Sequence, residues 1–317
     1  MHLIRRQIIY VCTTIILLWV VAIVACAQTT HYLYANAGFG YTALPYRTAD
    51  YHSVGNVGGV AGVGYELQTN GGFVFSLGAT FDAVNNTSRH NDFTDSRLMI
   101  DTDGLEDGTP WYDTVMFNTA YSRFRETQSV LLVGATALFG ARFNRFTILV
   151  GGKASFPLLT NFSSKARITT TGDYQWFSEE FHDMENHYYV SNYALKSKGS
   201  LTTSLNIDAV LQAYFDCTPS RWKSTQLHLG VYVSYGVLNI NKESTDRALI
   251  VRHENPLDIT FNSQLQTAAM NSKHVAPLAV GLSAKFLFEL GTSSGGGRVH
   301  RHCNCINGFN HSRWSRF

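Results

Sequence analysis

The chain has 317 residues with a formal net charge of +2; 15% of its residues are charged, 13% are aromatic, and 26 are glycine against 6 proline. This composition is unlike that of a helical bundle, which would be richer in Ala, Glu, Lys and Leu. The small net charge, without a basic or aromatic-lined recognition motif, leaves no reason to expect nucleic acid as a partner.

The first segment predicts export. Two arginines precede an almost wholly apolar run over 8–24, and Ala25-Cys26-Ala27 supplies the small residues of a cleavage site. This order is typical of a secretory signal peptide, so 1–27 is predicted to be removed. Two alternatives stay open: a permanent membrane anchor, because the run approaches a spanning length, and a lipoprotein signal with Cys26 as the lipidated residue.

Eight later segments predict β-strands, because their apolar residues recur at every second position. In the clearest one, Phe73, Phe75 and Leu77 begin an apolar face that opposes a face of small and polar residues. No apolar run near 20 residues follows the signal, so only a closed sheet could cross a membrane. The segments are 31–44, 56–68, 72–84, 121–141, 145–158, 201–215, 226–237 and 274–290.

The connections between these segments alternate in length along the chain. The short ones are 69–72, 142–145 and 216–221, and the long ones are 45–55, 85–120, 160–199 and 241–273. Outer-membrane barrels alternate short periplasmic turns with long external loops, whereas a soluble sandwich has no reason to do so. The sequence therefore predicts an all-β fold: an eight-stranded antiparallel up-and-down transmembrane β-barrel over 28–290, followed by a flexible, basic periplasmic tail over 291–317.

The chain resembles the small outer-membrane β-barrel proteins of Gram-negative bacteria, of the OmpA/OmpX-like and PorT-like type. The resemblance lies in the glycine-rich alternation of 56–65 and in the last strand, 277–290, which is similar to the closing strand that the outer-membrane assembly machinery recognises. It covers about 29–290 and implies location in the outer membrane, in contact with its lipid. The chain departs from such proteins by continuing 27 residues beyond that strand, without a peptidoglycan-binding domain.

Five charged side chains are predicted to face the interior of the barrel. Eight strands leave an interior that side chains can just fill, and charges buried there must pair. An internal ion-pair network is therefore expected, either as structural filling or as the gate of a narrow pore. The five residues are Glu66, Asp82, Lys153, Asp208 and Lys285.

Two further groups of residues suggest sites. The acidic, glycine-containing stretch with Asp101, Asp103 and Asp107 could supply oxygen ligands to calcium, although it lacks the EF-hand pattern and is otherwise a solvated loop. Cys217 could form a disulfide with Cys303 or Cys305 in an oxidising compartment. A zinc site in the tail and free thiols are the alternatives.

No catalytic or cofactor-binding motif appears, so neither an enzyme nor a cofactor is predicted. The leading hypothesis is a structural or surface-interaction role, in which the long loops meet a surface ligand or another envelope protein. The alternatives are a narrow channel, a component of a secretion or assembly machine and, less favoured, a lipid-modifying enzyme. Aromatic residues in the three longest loops support binding, with an aromatic girdle at the membrane interface as the alternative; they include Trp111, Tyr112, Tyr174, Trp176, Phe177, Tyr188 and Tyr189.

Overall fold

The structure is a computed structural model that describes residues 29–46, 52–90, 92–101, 113–174, 180–222, 224–241, 247–253, 258–267 and 274–293. The predicted signal segment and the tail beyond Ser293 lie outside these residues. Within them, none of the helices is long and apolar enough to span a membrane.

Thirteen strands and two short 3-10 turns make up the described fold. The strands are β1 (Thr29–Ala43), β2 (His52–Thr69), β3 (Phe73–Arg89), β4 (Phe93–Asp101), β5 (Asp113–Phe143), β6 (Phe146–Tyr174), β7 (Glu180–Phe181), β8 (Tyr193–Ser200), β9 (Asn206–Asp216), β10 (Thr225–Gly236), β11 (Ile250–Arg252), β12 (Ile259–Phe261) and β13 (Leu278–Ser293). The 3-10 turns cover Glu185–His187 and Gln264–Gln266.

Eight of the strands pair in a ring. Going around it, the antiparallel order is β1, β2, β3, β5, β6, β9, β10 and β13, and β13 pairs again with β1. Each of the eight predicted segments lies on one of these strands, so the prediction of an all-β, antiparallel fold is confirmed. Tight turns at 70–72 and 144–145 join β2 to β3 and β5 to β6 as hairpins, and Gly72 and Asn144 take positive φ in them.

The prediction of long loops over 85–120 and 160–199 is wrong for much of their length. β5 and β6 run on as a paired ladder to Val115 and Tyr174, and β4 and β8 pair with them on either side. In this part the outward side chains of β5 and β6 are polar, as described below, so the sequence there has the composition of a solvated loop.

The ring strands have two parts that differ in environment. We call the belt half the part of all eight ring strands that lies nearest the tight turns, and the distal half the part that lies farther from them. On β5 and β6 the belt half covers 131–143 and 146–159. The distal half contains 113–130 of β5, 160–174 of β6, and the added strands β4, β7, β8, β11 and β12. The largest hydrophobic core lies in the distal half, around Phe124 and Ile168.

Candidate functional site

A buried three-residue ion cluster lies inside the ring in the belt half. Lys153 Nζ is 3.1 Å from Asp82 Oδ1 and 2.8 Å from Asp208 Oδ2. Lys153 and Asp208 are direct cross-strand partners on β6 and β9, while Asp82 reaches them from β3. Asn206 donates to the other Asp208 oxygen at 2.6 Å. One ammonium group therefore joins two carboxylates from different strands.

A second cluster lies closer to the tight turns. Lys285 Nζ donates to Glu66 Oε2, and it also faces the rings of Tyr34 and Tyr214, at 4.2 and 5.5 Å from their centroids. Gln68 Nε2 donates to the second Glu66 oxygen at 2.8 Å. The ammonium group is thus compensated by a carboxylate and by two aromatic faces, which attract cations through their quadrupoles.

The second cluster continues to the turn end of the ring through Arg142. Its guanidinium donates to Gln68 Oε1 at 2.8 Å, to Gln226 Oε1 at 3.2 Å and to Asp216 Oδ2 at 2.7 Å. These partners stand on β2, β10 and β9, so one side chain ties three strands across the opening. Sequence analysis missed Arg142, because it lies where the strand pattern gives way to the turn.

The five charges predicted to face inward are all buried, with 1 to 7% of each residue exposed, and the structure groups them into these two clusters. Small cavities of about 10 and 20 Å³ adjoin the first cluster. A volume of this size holds about one water molecule. The paired side chains around Lys153 therefore leave only small cavities beside them.

The outward face of the belt half is apolar. Phe39, Phe156 and Leu282 are 66, 62 and 58% exposed, and aromatic residues mark both edges of the belt. At the turn end these are Phe143, Phe146, Phe215 and Phe288; at the other end they are Tyr41, Phe81, Phe156 and Tyr235. Large exposed apolar surfaces of this kind indicate contact with an apolar environment or a partner.

The polarity of the outward strand face reverses along β5 and β6. Leu131 and Leu159 are the last outward apolar pair, and the next outward positions carry hydroxyl, amide and then cationic side chains. Meanwhile the inward positions, which hold Lys153 and Ser155 in the belt half, hold Phe162 and Ile168 in the distal half. The belt half thus has an apolar surface around the two ion clusters, whereas the distal half has a more polar surface around the largest hydrophobic core, which also encloses buried polar side chains.

The distal core is closed by the segment that contains β11 and β12. Their Ile250, Ile259 and Phe261 belong to the same buried cluster as Phe124 of β5, and the Phe124 and Phe261 rings meet edge-on with centroids 5.7 Å apart. The closing segment thus contributes apolar side chains to the hydrophobic core of the distal half.

A buried carboxylate clamps this closing segment to the ring. Glu126 accepts hydrogen bonds from Ser263 Oγ at 2.6 Å and from the Gln264 backbone N–H at 3.0 Å. It also accepts from Gln128 Nε2 at 2.7 Å and Ser164 Oγ at 2.8 Å. Burial raises the pKa of the Glu126 carboxyl above its ordinary value, although all four hydrogen bonds act in the opposite direction. No sequence motif indicated this site.

The loop aromatics have mixed positions. Tyr189 is 1% exposed and packs in the interior of the distal half, so it is not part of an exposed binding surface. Tyr174 and Tyr188 are half-buried, and the Arg252 guanidinium lies 5.1 Å from the Tyr188 ring centroid. Trp111, Tyr112, Trp176 and Phe177 lie outside the described residues.

The predicted calcium and disulfide sites fall mostly outside the described residues. Asp101 ends β4, while Asp103 and Asp107 are not described. Cys217 is exposed in the turn after β9 and has no disulfide partner among the described residues, while its predicted partners Cys303 and Cys305 are not described. Within the described ranges, no group of three His, Cys, Asp or Glu side chains is placed to hold a metal ion.

No protein-family model matches the chain, and a search of curated proteins gives no match.

Proposed function

We propose that this chain is an outer-membrane β-barrel whose belt half spans the membrane as a filled scaffold and whose distal half presents a binding surface outside it. The reversal of polarity at Leu131 and Leu159 carries the proposal. An apolar surface around a polar interior is favourable in lipid, and the opposite arrangement is favourable in water. A single strand pair that changes from one to the other crosses the boundary between these two environments.

The height of the apolar belt agrees with this proposal. Phe146 and Phe156 stand at opposite aromatic edges of β6, ten positions apart. At a rise of about 3.3 Å per residue and a tilt of about 40°, that separation corresponds to roughly 25 Å along the ring axis. This is the height of the apolar band of outer-membrane barrels.

The filled interior favours a scaffold over a channel. The ion clusters around Lys153 and Lys285 occupy the space that a pore would need, as expected for eight strands. We therefore expect the purified protein to give no steady conductance in a planar bilayer. A sustained ohmic conductance would replace the scaffold hypothesis with the channel one. The other hypotheses, a role in secretion or assembly and a role in lipid modification, remain predictions, and none of the contacts described above supports them.

Two measurements test the membrane proposal. The protein in outer-membrane fractions should migrate differently on an SDS gel before and after boiling, because a closed hydrogen-bond ladder resists detergent. For orientation, a cysteine at Thr94 on exposed β4 should react with a membrane-impermeant maleimide on intact cells, whereas native Cys217 at the turn end should react only after lysis. The other cysteines are replaced by serine in both samples. A soluble protein without heat-modifiable migration, or the reverse labelling, would overturn the proposal.

A further inference from the structure

A row of basic side chains crosses the outward face of the distal half. Arg89, Arg125, Lys165 and Lys196 are direct cross-strand partners on four adjacent strands, β3, β5, β6 and β8. His52 of β2 extends the row, since it is the partner of Arg89. Neighbouring strands are about 4.8 Å apart, so the four Arg and Lys residues span roughly 15 Å.

The charges of this basic row are uncompensated within the described part of the chain. None of its four Arg and Lys side chains forms an ion pair with a described carboxylate. Arg167 and Lys198 stand one outward position away on β6 and β8 and add to the same sign. Like charges placed directly opposite one another destabilise a sheet. Four of them in register therefore cost stability, and an external anion would relieve that cost.

On β5 and β6 the row lies a defined number of residues beyond the apolar belt. On β5 and β6 the outward pairs beyond Leu131 and Leu159 are Ser129 with Asn161, then Thr127 with Ser163, and then Arg125 with Lys165. On these two strands the outward surface therefore changes from apolar to hydroxyl and amide groups and then to cations, while Lys198 of β8 lies beside Ser163, one outward position nearer the belt. Six positions separate Leu159 from Lys165, which corresponds to about 15 Å along the ring axis.

This height selects among anionic lipids. The headgroup layer of ordinary phospholipids extends only about 5–8 Å beyond the hydrocarbon on each side. A headgroup built of sugars would place hydroxyl groups opposite the Ser, Thr and Asn positions and carry its phosphates higher, within reach of the row. We propose that the basic row binds the phosphate groups of glycolipid headgroups in the adjacent membrane leaflet. This inference rests on the proposed function, because it requires the belt half to lie in that membrane.

The test uses the full-length protein folded in non-ionic detergent micelles, with the temperature of the heat-modifiable gel shift as readout. A lipopolysaccharide with a short phosphorylated core is titrated into the micelles, and the same material after dephosphorylation serves as the second probe. The phosphorylated form should raise the unfolding temperature, and 0.5 M salt should weaken the effect. Dephosphorylated material should raise it far less. Equal effects of the two probes would overturn the proposal.

Two triple variants assign the effect to the row. In Arg125→Thr/Lys165→Thr/Lys196→Thr the apparent affinity should fall on the order of 100-fold, since each basic residue near an anionic surface contributes roughly fivefold. Without lipid, this variant should unfold at the wild-type temperature or higher, because repulsion is removed. The charge-preserving Arg125→Lys/Lys165→Arg/Lys196→Arg should keep most of the affinity. An unchanged affinity in the threonine variant would sink the assignment.

Soluble dextran sulfate separates a lipid from an acidic polysaccharide. Stabilisation by dextran sulfate equal to that by the phosphorylated lipid would overturn the lipid assignment in favour of a soluble polyanion. The proposed function fails differently: the wild-type protein would then lack any heat-modifiable form, with or without lipid.

Discussion

The backbone N–H of Gln264 donates to a carboxylate oxygen of Glu126 at 3.0 Å, across 138 positions of the chain. Glu126 lies on β5, in the part of the strand beyond the apolar belt, and Gln264 begins the 3-10 turn after β12. Both residues are fully buried. The contact therefore holds the closing segment of the distal half onto the strand ladder without the aid of a cation.

Replacing Glu126 should release the closing segment while leaving the belt half folded. Glu126→Leu removes an acceptor shared by four donors and leaves the buried Gln264 N–H without a partner, a loss of about 1–3 kcal/mol for that group alone. We expect proteolysis or hydrogen exchange over 258–267 to increase at least tenfold, with an unchanged heat-modifiable gel shift. Thr127→Leu, on the outward side of the same strand, is the matched control and should not change protection. Wild-type protection in the Leu variant would show that Glu126 is not the clamp.

The clamp should weaken as the pH rises. The folded pKa of Glu126 is raised above its ordinary value of 4.5, with burial as the largest cause. Protonation of Glu126 therefore favours the closed state over the open one. This contribution to the free energy of closure is fully present below the ordinary pKa and is lost as the pH rises through the folded pKa. Exchange over 258–267 should increase across that range in the wild-type protein. Glu126→Gln does not titrate, so an equal pH slope in this variant would assign the dependence to another group.

Sequence analysis found the belt half because its two faces differ sharply. From Phe73 onward every second residue is apolar, and the residues between them are small or polar. The same alternation in β6 and β9 predicted that Lys153 and Asp208 face inward. In the distal half the alternation persists, with Phe162, Ala166 and Ile168 inward and Lys165 outward, but with the opposite polarity. This signal was present in the sequence and was interpreted as loop. The Glu126 clamp left no such signal, because it depends on contacts between segments far apart in the chain.

Removing Lys153 should destabilise the ring more than removing its whole cluster. Lys153→Met leaves Asp82 and Asp208, 7 and 2% exposed, as buried like charges, and breaking a buried pair in this way costs about 3–5 kcal/mol. The triple variant Lys153→Met/Asp82→Asn/Asp208→Asn removes the charges together and should recover most of that loss. The midpoint of urea unfolding in lipid vesicles measures both. Arg221→Met, at an exposed turn position, is the control. A triple variant no more stable than the single one would argue against charge pairing as the role of the cluster.

An arginine on the outward face should be costly in the belt half and tolerated in the distal half. Val150 is 45% exposed and lies between the aromatic edges of β6, so Val150→Arg would place a charge in the hydrocarbon, at a cost of about 2–4 kcal/mol near the midplane. Asn161→Arg puts the same side chain on the outward face of the same strand beyond the boundary, opposite the uncharged Ser129 and Ser200, where the cost falls to about 0–1 kcal/mol. Urea unfolding in vesicles gives both values. In water both sites would be ordinary exposed strand positions, so similar small costs would contradict a belt half buried in lipid.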